Sequence, residues 1–354
     1  MNKQDLKTLR ATIASIIKPL SERNRDIVTR RFGLQNGKRE TLESIGQSYS
    51  ITRERVRQIE ESTLTQLAKS TGDHKDVLKY ISAIKAILSK EGGIMKERDL
   101  FNAFSGTEKY DAINASLSFI LTFNKELVKF DENDHYHVFW AIDQKKSDQL
   151  HRVINSLTAA FGKKGAVVSE QQVYNFALEQ GVVASNGPDF SEKQLTACMA
   201  ISKDLSRNIF KEVGLATWPE VRPKGVRDKA YLIMKKEGEA RHFADIAKLI
   251  NTANFNDQKS VNIQTVHNEL IKDNRFVLVG RGMYALAEWG YKSGTVKEVL
   301  VDILRNSAHP LAKSDLVARV MDARMVKENT ILLNLQDNTH FVKNEDGTYA
   351  LRKA

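Results

Sequence analysis

The sequence predicts a mainly α-helical protein in which an N-terminal helix-turn-helix is followed by tandem winged-helix modules with short β-hairpin wings. Two observations carry this prediction. Helix start and stop signals follow one another closely within the first 70 residues, where they mark three short helices. Strand–turn–strand patterns at 125–142, 274–291 and 339–354 each follow a group of helical patterns, at a repeat length of about 65–75 residues.

The N-terminal region, residues 1–70, is here called the head, and its first two helices are marked by capping residues. Ser21 caps the first helix, and Gly33 is placed to end it in a left-handed conformation. After the loop QNGKRE, Thr41 caps a short helix, TLESIGQSY, whose apolar residues are spaced to pack inward. A brief turn through Ser50 then leads to the third helix. Two short helices joined by a tight turn, the second with a polar face, form a helix-turn-helix.

The third helix begins after Thr52, whose hydroxyl can accept a backbone N–H, and its two faces differ in character. Side chains about 100° apart form an apolar stripe of Val56, Ile59, Thr63 and Leu67. The opposite, polar stripe comprises Arg53, Glu54, Arg57, Gln58 and Glu61. Arg and Gln can each make two directed hydrogen bonds to a base edge, whereas a solvated helix typically carries Lys and Glu pairs. The polar stripe therefore indicates a helix that reads DNA, with an ordinary solvated face as the alternative.

Motifs at a fixed spacing relate this region to a known family. The run LSERNRDIVTRRFGL is followed, after six residues, by TLESIGQSYSITRERVRQIEESTLTQL. Together they resemble the C-terminal helix-turn-helix region of primary bacterial sigma factors, which reads the −35 promoter element. The resemblance covers roughly residues 20–69 and implies a DNA-binding fold for that segment.

The resemblance implies roles for individual side chains. The residues at base-reading positions, with Arg57 supporting the others, are Arg53, Glu54, Arg57 and Gln58. The residues at positions that hold the DNA backbone are Arg23, Thr41, Leu42, Glu43 and Arg55. Thr41 and Leu42 lie at a helix N-terminus, whose N–H groups favour an anion. The alternative for each arginine is an ordinary surface charge. Three residues depart from the family's pattern after Arg23, namely Asn24, Arg25 and Asp26.

The distribution of charge favours a polyanionic partner. The chain has 354 residues and a formal net charge of +10. Residues 1–70 hold 14 Lys and Arg against 8 Asp and Glu, a difference of +6, which leaves +4 for residues 71–354. Positive charge concentrated in this way favours double-stranded DNA as a partner.

The sequence argues against a membrane or disulfide-bonded protein. No apolar run approaches the roughly 20 residues that span a bilayer, and no signal-peptide pattern opens the chain. The single cysteine, Cys198, allows neither an intrachain disulfide nor a thiolate zinc site. We therefore expect a cytoplasmic protein with no membrane partner.

Behind the head, helical patterns before each of the three strand–turn–strand patterns predict three modules, and a weaker repeat with a short wing, LHRVINSLTAAFGKKGAVVSEQQVYNFALEQG followed by LTACMAISKDLSRNIFKEVGLATW, predicts a fourth. These are residues 76–142, 148–218, 224–291 and 292–354. In the third, the segments AYLIMKKEGEARHFADIAKLI and RFVLVGRGMYALAEW are similar to the HARE type of winged helix, which is also found in the delta subunit of some bacterial RNA polymerases. Over residues 226–291 this likeness implies an association with DNA or with polymerase.

The charges of the third module fit two kinds of partner. Lys272, Arg275 and Arg281 are placed to flank a groove. Glu269 and Asp273 lie among them and weaken any positive patch. DNA binding and a protein-docking or spacing role are both compatible with the sequence.

The sequence contains no catalytic constellation. Gly280 and Gly282 in VGRGMY are spaced as in a phosphate loop, but no helix follows them, which favours a hairpin turn. His135 and His137 would share one face of a strand, yet no third ligand has a suitable spacing for a metal ion. We expect no enzyme activity, no cofactor and no bound metal.

These features predict a sigma-like, sequence-specific DNA-binding transcription factor that reads a promoter element and acts with bacterial-type RNA polymerase. The alternative is an architectural or targeting DNA-binding protein that is independent of polymerase, including a specificity subunit of a nuclease system. Nothing in the sequence resembles the promoter-melting region of sigma factors, so we expect the chain not to open promoters without a partner. The sequence does not specify an oligomeric state.

Overall fold

The computed structural model describes residues 3–71, 74–123, 127–255, 260–291 and 294–352. Within these ranges the chain is mainly helical, and its strands form small antiparallel sheets, which confirms the predicted fold class. The predicted domains also include residues that lie outside the described ranges, namely 1–2, 124–126, 256–259, 292–293 and 353–354. Among the described helices, none is long and apolar enough to cross a membrane.

The chain divides into two compact units. The first comprises Met1–Ser206 and Val213–Ala216, and the second comprises Arg207–Glu212 and Thr217–Ala354. The head therefore belongs to the first unit, and most of the C-terminal half of the chain belongs to the second.

The head consists of four helices, of which the sequence predicts the last three. They are α1 (Lys3–Ile17), α2 (Glu22–Phe32), α3 (Leu42–Tyr49) and α4 (Arg53–Thr71). The predicted caps of α2 are present, since the Ser21 hydroxyl accepts the Asn24 N–H at 3.3 Å and Gly33 ends the helix with φ +67°. The additional helix α1 is amphipathic, and Leu9 and Ile13 are buried on its inner side.

Behind the head, the predicted modules repeat one order of elements: a helix, a short strand or bridge, two helices and a β-hairpin. The first module comprises α5 (Lys75–Lys90), β1 (Ile94–Lys96), α6 (Glu97–Ser105), α7 (Ala112–Leu121), β2 (Val128–Phe130) and β3 (Phe139–Ala141). The second comprises α8 (Gln144–Lys164), β4 (Val168–Ser169), α9 (Val173–Glu179), α10 (Glu192–Ile201), β5 (Leu205–Arg207) and β6 (Glu212–Leu215).

The second unit repeats this order twice. The third module comprises α11 (Val226–Glu237), β7 (Arg241–His242), α12 (Phe243–Thr252), α13 (Ile263–Lys272), β8 (Phe276–Gly280) and β9 (Met283–Leu286). The fourth comprises α14 (Val296–Arg305), α15 (Lys313–Ala323), α16 (Glu328–Leu335), β10 (Phe341–Lys343) and β11 (Tyr349–Leu351). In the fourth module a single bridge between Leu311 and Tyr349 takes the place of the first strand.

The three-stranded sheets of the first three modules place the last strand in the middle. Their strand orders are β1-β3-β2, β4-β6-β5 and β7-β9-β8. In the first module both Ile94 and Val128 lie opposite Ala141 on the central strand. In the third module Gly282, with φ +71°, lies in the turn between β8 and β9, which confirms that VGRGMY forms a hairpin turn.

The head and the first module share one hydrophobic core. Helix α7 packs against α1 and α2, and the rings of Phe32 and Phe119 meet edge to face with their centroids 4.9 Å apart. The buried apolar residues of this shared core include Leu9, Ile13, Ile16, Leu20, Val28, Leu34 and Leu67 in the head, and Val77, Tyr80, Ile84, Leu88, Leu100, Phe101, Phe104, Leu117, Phe119 and Ile120 in the first module. Residues on both sides of the predicted boundary at residue 70 thus contribute to a single core.

Helix α7 is buried along most of its length. Residues 114–121 are all buried, because α7 lies between the head and the other helices of its own module. In a winged helix the third helix, here α7, is the second helix of the helix-turn-helix motif. That helix enters the major groove and must be exposed to do so. Over residues 114–121, α7 has no exposed face that DNA can reach.

The hairpin of the first module is paired to the second module. The His137 N–H donates to the Ile201 carbonyl at 2.9 Å, and the Lys203 N–H donates to the His135 carbonyl at 2.7 Å. The His135 ring also contacts Asp204, with 2.9 Å between Nδ1 and Oδ2. Among the described residues, no group of three His, Cys, Asp or Glu side chains is placed to hold a metal ion.

The hairpin of the third module is paired in a similar way to the fourth. The Met325 N–H donates to the Val279 carbonyl at 3.0 Å, and Arg324 Nη2 donates to the Leu278 carbonyl at 2.9 Å. Strand β8 is therefore partly covered by the segment between α15 and α16. A wing that is paired to the next module is less available to a DNA groove.

The cations of the third module differ in their surroundings. Arg275 pairs with Asp228 at 2.8 Å and with Asp273 at 2.6 Å. Lys272 and Arg281 are exposed. Because two carboxylates neutralise Arg275, the remaining positive charge is small for a DNA-binding surface.

Candidate nucleic-acid interface

The turn between α3 and α4 is tight and depends on Gly46. The Ile51 N–H donates to the Gly46 carbonyl at 3.0 Å, and a Cβ atom on Gly46 would lie 2.7 Å from the Ile51 carbonyl oxygen. Ser50 adopts a left-handed conformation with φ +54° and completes the turn. The Thr52 hydroxyl then accepts the Arg55 N–H at 3.2 Å, as its predicted capping role requires.

A small core fixes α4 against α2 and α3. Ile27, Ile45 and Val56 are fully buried and in contact. Thr63 and Leu67 are also buried, and Ile59 is half-buried against the same core, which confirms the predicted apolar stripe. The other residues that pack on this core are Leu42, Tyr49, Ile51 and Ile59.

The predicted polar stripe of α4 is exposed. Arg53, Glu54, Arg57, Gln58 and Glu61 all face solvent. Arg57 lies between two carboxylates, with Nη2 2.8 Å from Glu54 Oε1 and Nη1 3.1 Å from Glu61 Oε2. The hydrogen bonds between Arg57 and Glu54 lower the pKa of Glu54 and raise the pKa of Arg57, so both side chains stay ionised.

The remaining polar side chains of this face differ in how they are held. Arg55 Nη1 donates to Gln58 Oε1 at 3.1 Å. Arg53 lies at the start of α4, and its side chain makes no hydrogen bond to the described residues. Because exposed pairs of this kind stabilise a helix only slightly, they can be exchanged for contacts with a ligand.

Residues with an implied backbone role lie at the start of α3 and, for Arg23 and Arg55, in the first turns of α2 and α4. The Thr41 hydroxyl accepts the Ser44 N–H at 3.1 Å, and Glu43 follows in the first turn. The side chain of Leu42 packs on the small core, which leaves its backbone N–H as the group that can face an anion. The Arg23 guanidinium lies 5.3 Å from the centroid of the Tyr49 ring. Thr41, Glu43, Arg23 and Arg55 are all exposed.

Two arginines that sequence reasoning missed hold the helix-turn-helix together. Arg30 donates to Glu40 through Nε at 3.0 Å and through Nη2 at 2.7 Å, and Nη2 also donates to Ser48 Oγ at 2.9 Å. Arg31 donates to Glu60 Oε2 at 2.9 Å and so connects α2 to α4. The hydrogen bonds from Arg30 lower the pKa of Glu40. Arg30 therefore ties α2 to the loop before α3 and to α3 itself, and Arg31 ties α2 to α4.

Comparison with known proteins bears directly on this arrangement. Residues 16–69 match the family described as sigma-70, region 4, from the end of α1 to the last turns of α4. This segment is a sigma-70 region 4 domain.

The relatives of the region 4 domain are RNA polymerase sigma factors by name. Over 59 residues the chain is 46% identical to RNA polymerase sigma factor SigA1 of Synechococcus elongatus and to RNA polymerase sigma factor SigA of Synechocystis sp. and of Nostoc sp.. The aligned segment covers 17% of this chain and 14–15% of the length of these relatives. The HARE-type likeness of residues 226–291 stays a prediction.

The residues that depart from the family's pattern have structural contacts in this region 4 domain. Arg25 Nη2 donates to the Lys18 carbonyl at 2.8 Å and to the Leu20 carbonyl at 2.9 Å, which ties α2 to the end of α1. Asp26 Oδ2 accepts the Tyr49 hydroxyl at 2.8 Å. Burial and this hydrogen bond raise the pKa of Tyr49, so the hydroxyl remains a donor. Arg25 and Asp26 therefore serve the packing of the domain.

Proposed function

We propose that the chain is a sequence-specific DNA-binding transcription factor that reads a promoter element through α4 and acts with bacterial-type RNA polymerase. The observation that carries this proposal is the region 4 domain, whose α4 buries its apolar stripe and exposes Arg53, Glu54 and Gln58 together. The names of its relatives support polymerase as the protein partner. No catalytic step is part of this function.

Base recognition follows from the chemistry of the exposed stripe. An arginine can donate two hydrogen bonds to a guanine edge, and a glutamine can both donate to and accept from an adenine edge. Glu54 can accept from a cytosine amino group. Arg57, held between Glu54 and Glu61, keeps the neighbouring carboxylate in place and so supports the reading residues.

Contacts to the DNA backbone position this helix. The N–H groups at the start of α3 favour a phosphate, and the exposed Arg23, beside Tyr49, and Arg55, in the first turn of α4, are further cations available to the DNA backbone. Residues 1–70 hold six more basic than acidic residues. This excess of positive charge attracts DNA of any base sequence.

We assign the winged modules to protein docking or spacing. Helix α7 is buried against the head, and the hairpins of the first and third modules are paired to the modules that follow them. These are the surfaces that a winged helix would present to DNA. Readout of sequence is therefore concentrated in the head.

The proposed function predicts both a DNA preference and a polymerase contact. Selection of duplexes from a random pool by the full chain should enrich one short element, bound at least about 1,000-fold more tightly than random DNA at physiological salt. Purified bacterial core RNA polymerase should be retained by the immobilised chain at moderate salt. Binding without enrichment would indicate an architectural protein. Enrichment without retention of polymerase would indicate a targeting protein that acts independently of it.

A further inference from the structure

The loop that joins α2 to α3 is held from two sides. We call residues 33–40 the connecting loop. From within the head, Arg30 binds the Glu40 carboxylate at 2.7 Å, and Arg31 Nη1 donates to the Glu40 carbonyl at 2.6 Å. From outside the head, the first module contacts the loop at residues that the helix-turn-helix itself does not require.

The first of these outside contacts is a close approach of two backbones. Gly37 has φ +77°, and a Cβ atom on it would overlap the Tyr110 carbonyl oxygen and lie 2.7 Å from Asp111 Cα. Asp111 caps α7, since its Oδ1 accepts the Ile113 and Asn114 N–H groups, both at 2.9 Å. The loop therefore rests directly on the start of α7, with no room for a side chain between them.

The second contact is made by the side chain of Tyr110, which touches both ends of the connecting loop. Its hydroxyl donates to the Phe32 carbonyl at 3.1 Å, at the point where α2 ends. Its ring lies under the Arg39 guanidinium, with 3.8 Å between Cζ and the ring centroid. Arg39 Nη2 also donates to Ser118 Oγ at 3.2 Å. Tyr110 thus fixes the loop just after α2 and again two residues before Thr41.

The position of Thr41 depends on where the connecting loop ends. Thr41 caps α3, and the N–H groups of the first turn of α3 point out of the helix at this end. These N–H groups can bind a phosphate only at hydrogen-bond distance, so a small shift of the loop removes the contact. The first module is therefore mechanically connected to the part of the head that faces the DNA backbone.

We propose that Tyr110 is a positioning residue for DNA binding, which orients the N-terminus of α3 toward a phosphate by fixing the connecting loop. This inference rests on the proposed DNA-binding function. It assigns the first module a role in DNA binding although α7, its third helix, is buried. Because a phosphate contact carries no sequence information, Tyr110 should affect affinity and leave base preference unchanged.

The test is a double-mutant cycle on the full chain. Tyr110→Leu should weaken binding to the selected duplex and to random duplexes alike, by about fivefold. In a Thr41→Val background, where the phosphate contact is already impaired, Tyr110→Leu should cause less than about a twofold further loss. In an Arg53→Ala background the full loss of about fivefold should return, because base reading is independent of the loop.

A matched control separates positioning from general loss of stability. Tyr174 in the second module also donates its hydroxyl to a backbone carbonyl, that of Phe190 at 3.2 Å. Tyr174→Leu should leave DNA affinity unchanged. The Tyr110→Leu protein is used only if it keeps the helical circular dichroism signal of the unmodified chain. If it does not, the milder variants Tyr110→Phe, which removes the hydrogen bond to the Phe32 carbonyl, and Ser118→Ala, which removes the hydrogen bond from Arg39, replace it in the cycle.

The outcomes distinguish this inference from the proposed function. If the unmodified chain binds no duplex, the proposed function is wrong. If the unmodified chain binds its selected duplex and the Tyr110 variants bind equally well, the positioning role is wrong. An equal loss in the Thr41→Val and Arg53→Ala backgrounds would also overturn it, because that result describes a structural defect that does not act through α3.

Discussion

Val56→Asp is expected to unfold the helix-turn-helix of the head. Val56 is fully buried against Ile27 and Ile45 in a cluster of apolar side chains. Burial of an unpaired charge costs about 4 kcal/mol or more, a large part of the 5–15 kcal/mol that stabilises a typical domain. Hydrogen exchange should show loss of protection in the amides of α2, α3 and α4.

Ser62→Asp is the matched control for this prediction. It places the same carboxylate on the same helix, but at an exposed position. Its effect on stability should stay within about 0.5 kcal/mol. If the amides of α4 were equally protected from hydrogen exchange in the Val56→Asp and Ser62→Asp variants, α4 would not be held by its apolar stripe.

A fragment that ends at residue 71 is expected not to fold as the head folds in the full chain. Without the first module, the surfaces of α1 and α2 that pack on α7 face water, Phe32 among them. Each large apolar side chain left exposed forfeits roughly 1.5–3 kcal/mol, and a chain of this length is marginally stable. The fragment should bind an apolar dye such as ANS and show little hydrogen-exchange protection.

The comparison fragment is residues 1–142, which contains every residue of the shared core. This longer fragment should bind less dye and protect the amides of α2 to α4. A fragment 1–71 with cooperative unfolding and full protection would show that the head is an independent domain, as its sequence boundaries suggest.

Local signals account for what could be predicted of the head. Caps at Ser21 and Thr41, the glycine at the end of α2, and the apolar spacing of α4 each act within a few residues. Such signals persist whatever the rest of the chain does, and the helices they predict are present. The exposed stripe follows from the same spacing, because the side opposite a buried stripe must face solvent.

Contacts between distant parts of the chain were harder to predict. The residues Arg30 and Arg31 look like ordinary surface cations in the sequence, and only the folded structure brings Glu40 and Glu60 to them. Strands β1, β4 and β7 are two or three residues long, which is too short for an alternating pattern to be recognised.

The burial of α7 had a signal that sequence reasoning did not use. Its sequence, AINASLSFIL, carries no charge and places apolar residues all around the helix. A helix of that kind is buried on every side, which a single module of this size cannot provide alone. The composition therefore indicated a second packing partner, although it could not identify the head as that partner.

Helix α4 is proposed to read bases, and the base preference of single variants shows whether it does. Arg53→Ala and Gln58→Ala should each remove directed hydrogen bonds worth roughly 1–3 kcal/mol and relax the preference at one position of the selected element. Arg55→Ala should instead weaken binding to all duplexes alike and reduce the slope of log affinity against log salt by about one unit.

Binding of these variants to the selected element, to its single-base variants and to random duplexes should be measured at several salt concentrations. We expect the preference to be lost at one position for Arg53→Ala and at another for Gln58→Ala, with the head still folded. Unchanged affinity and unchanged preference in both folded variants would contradict this expectation, and the exposed stripe of α4 would then be a solvated surface.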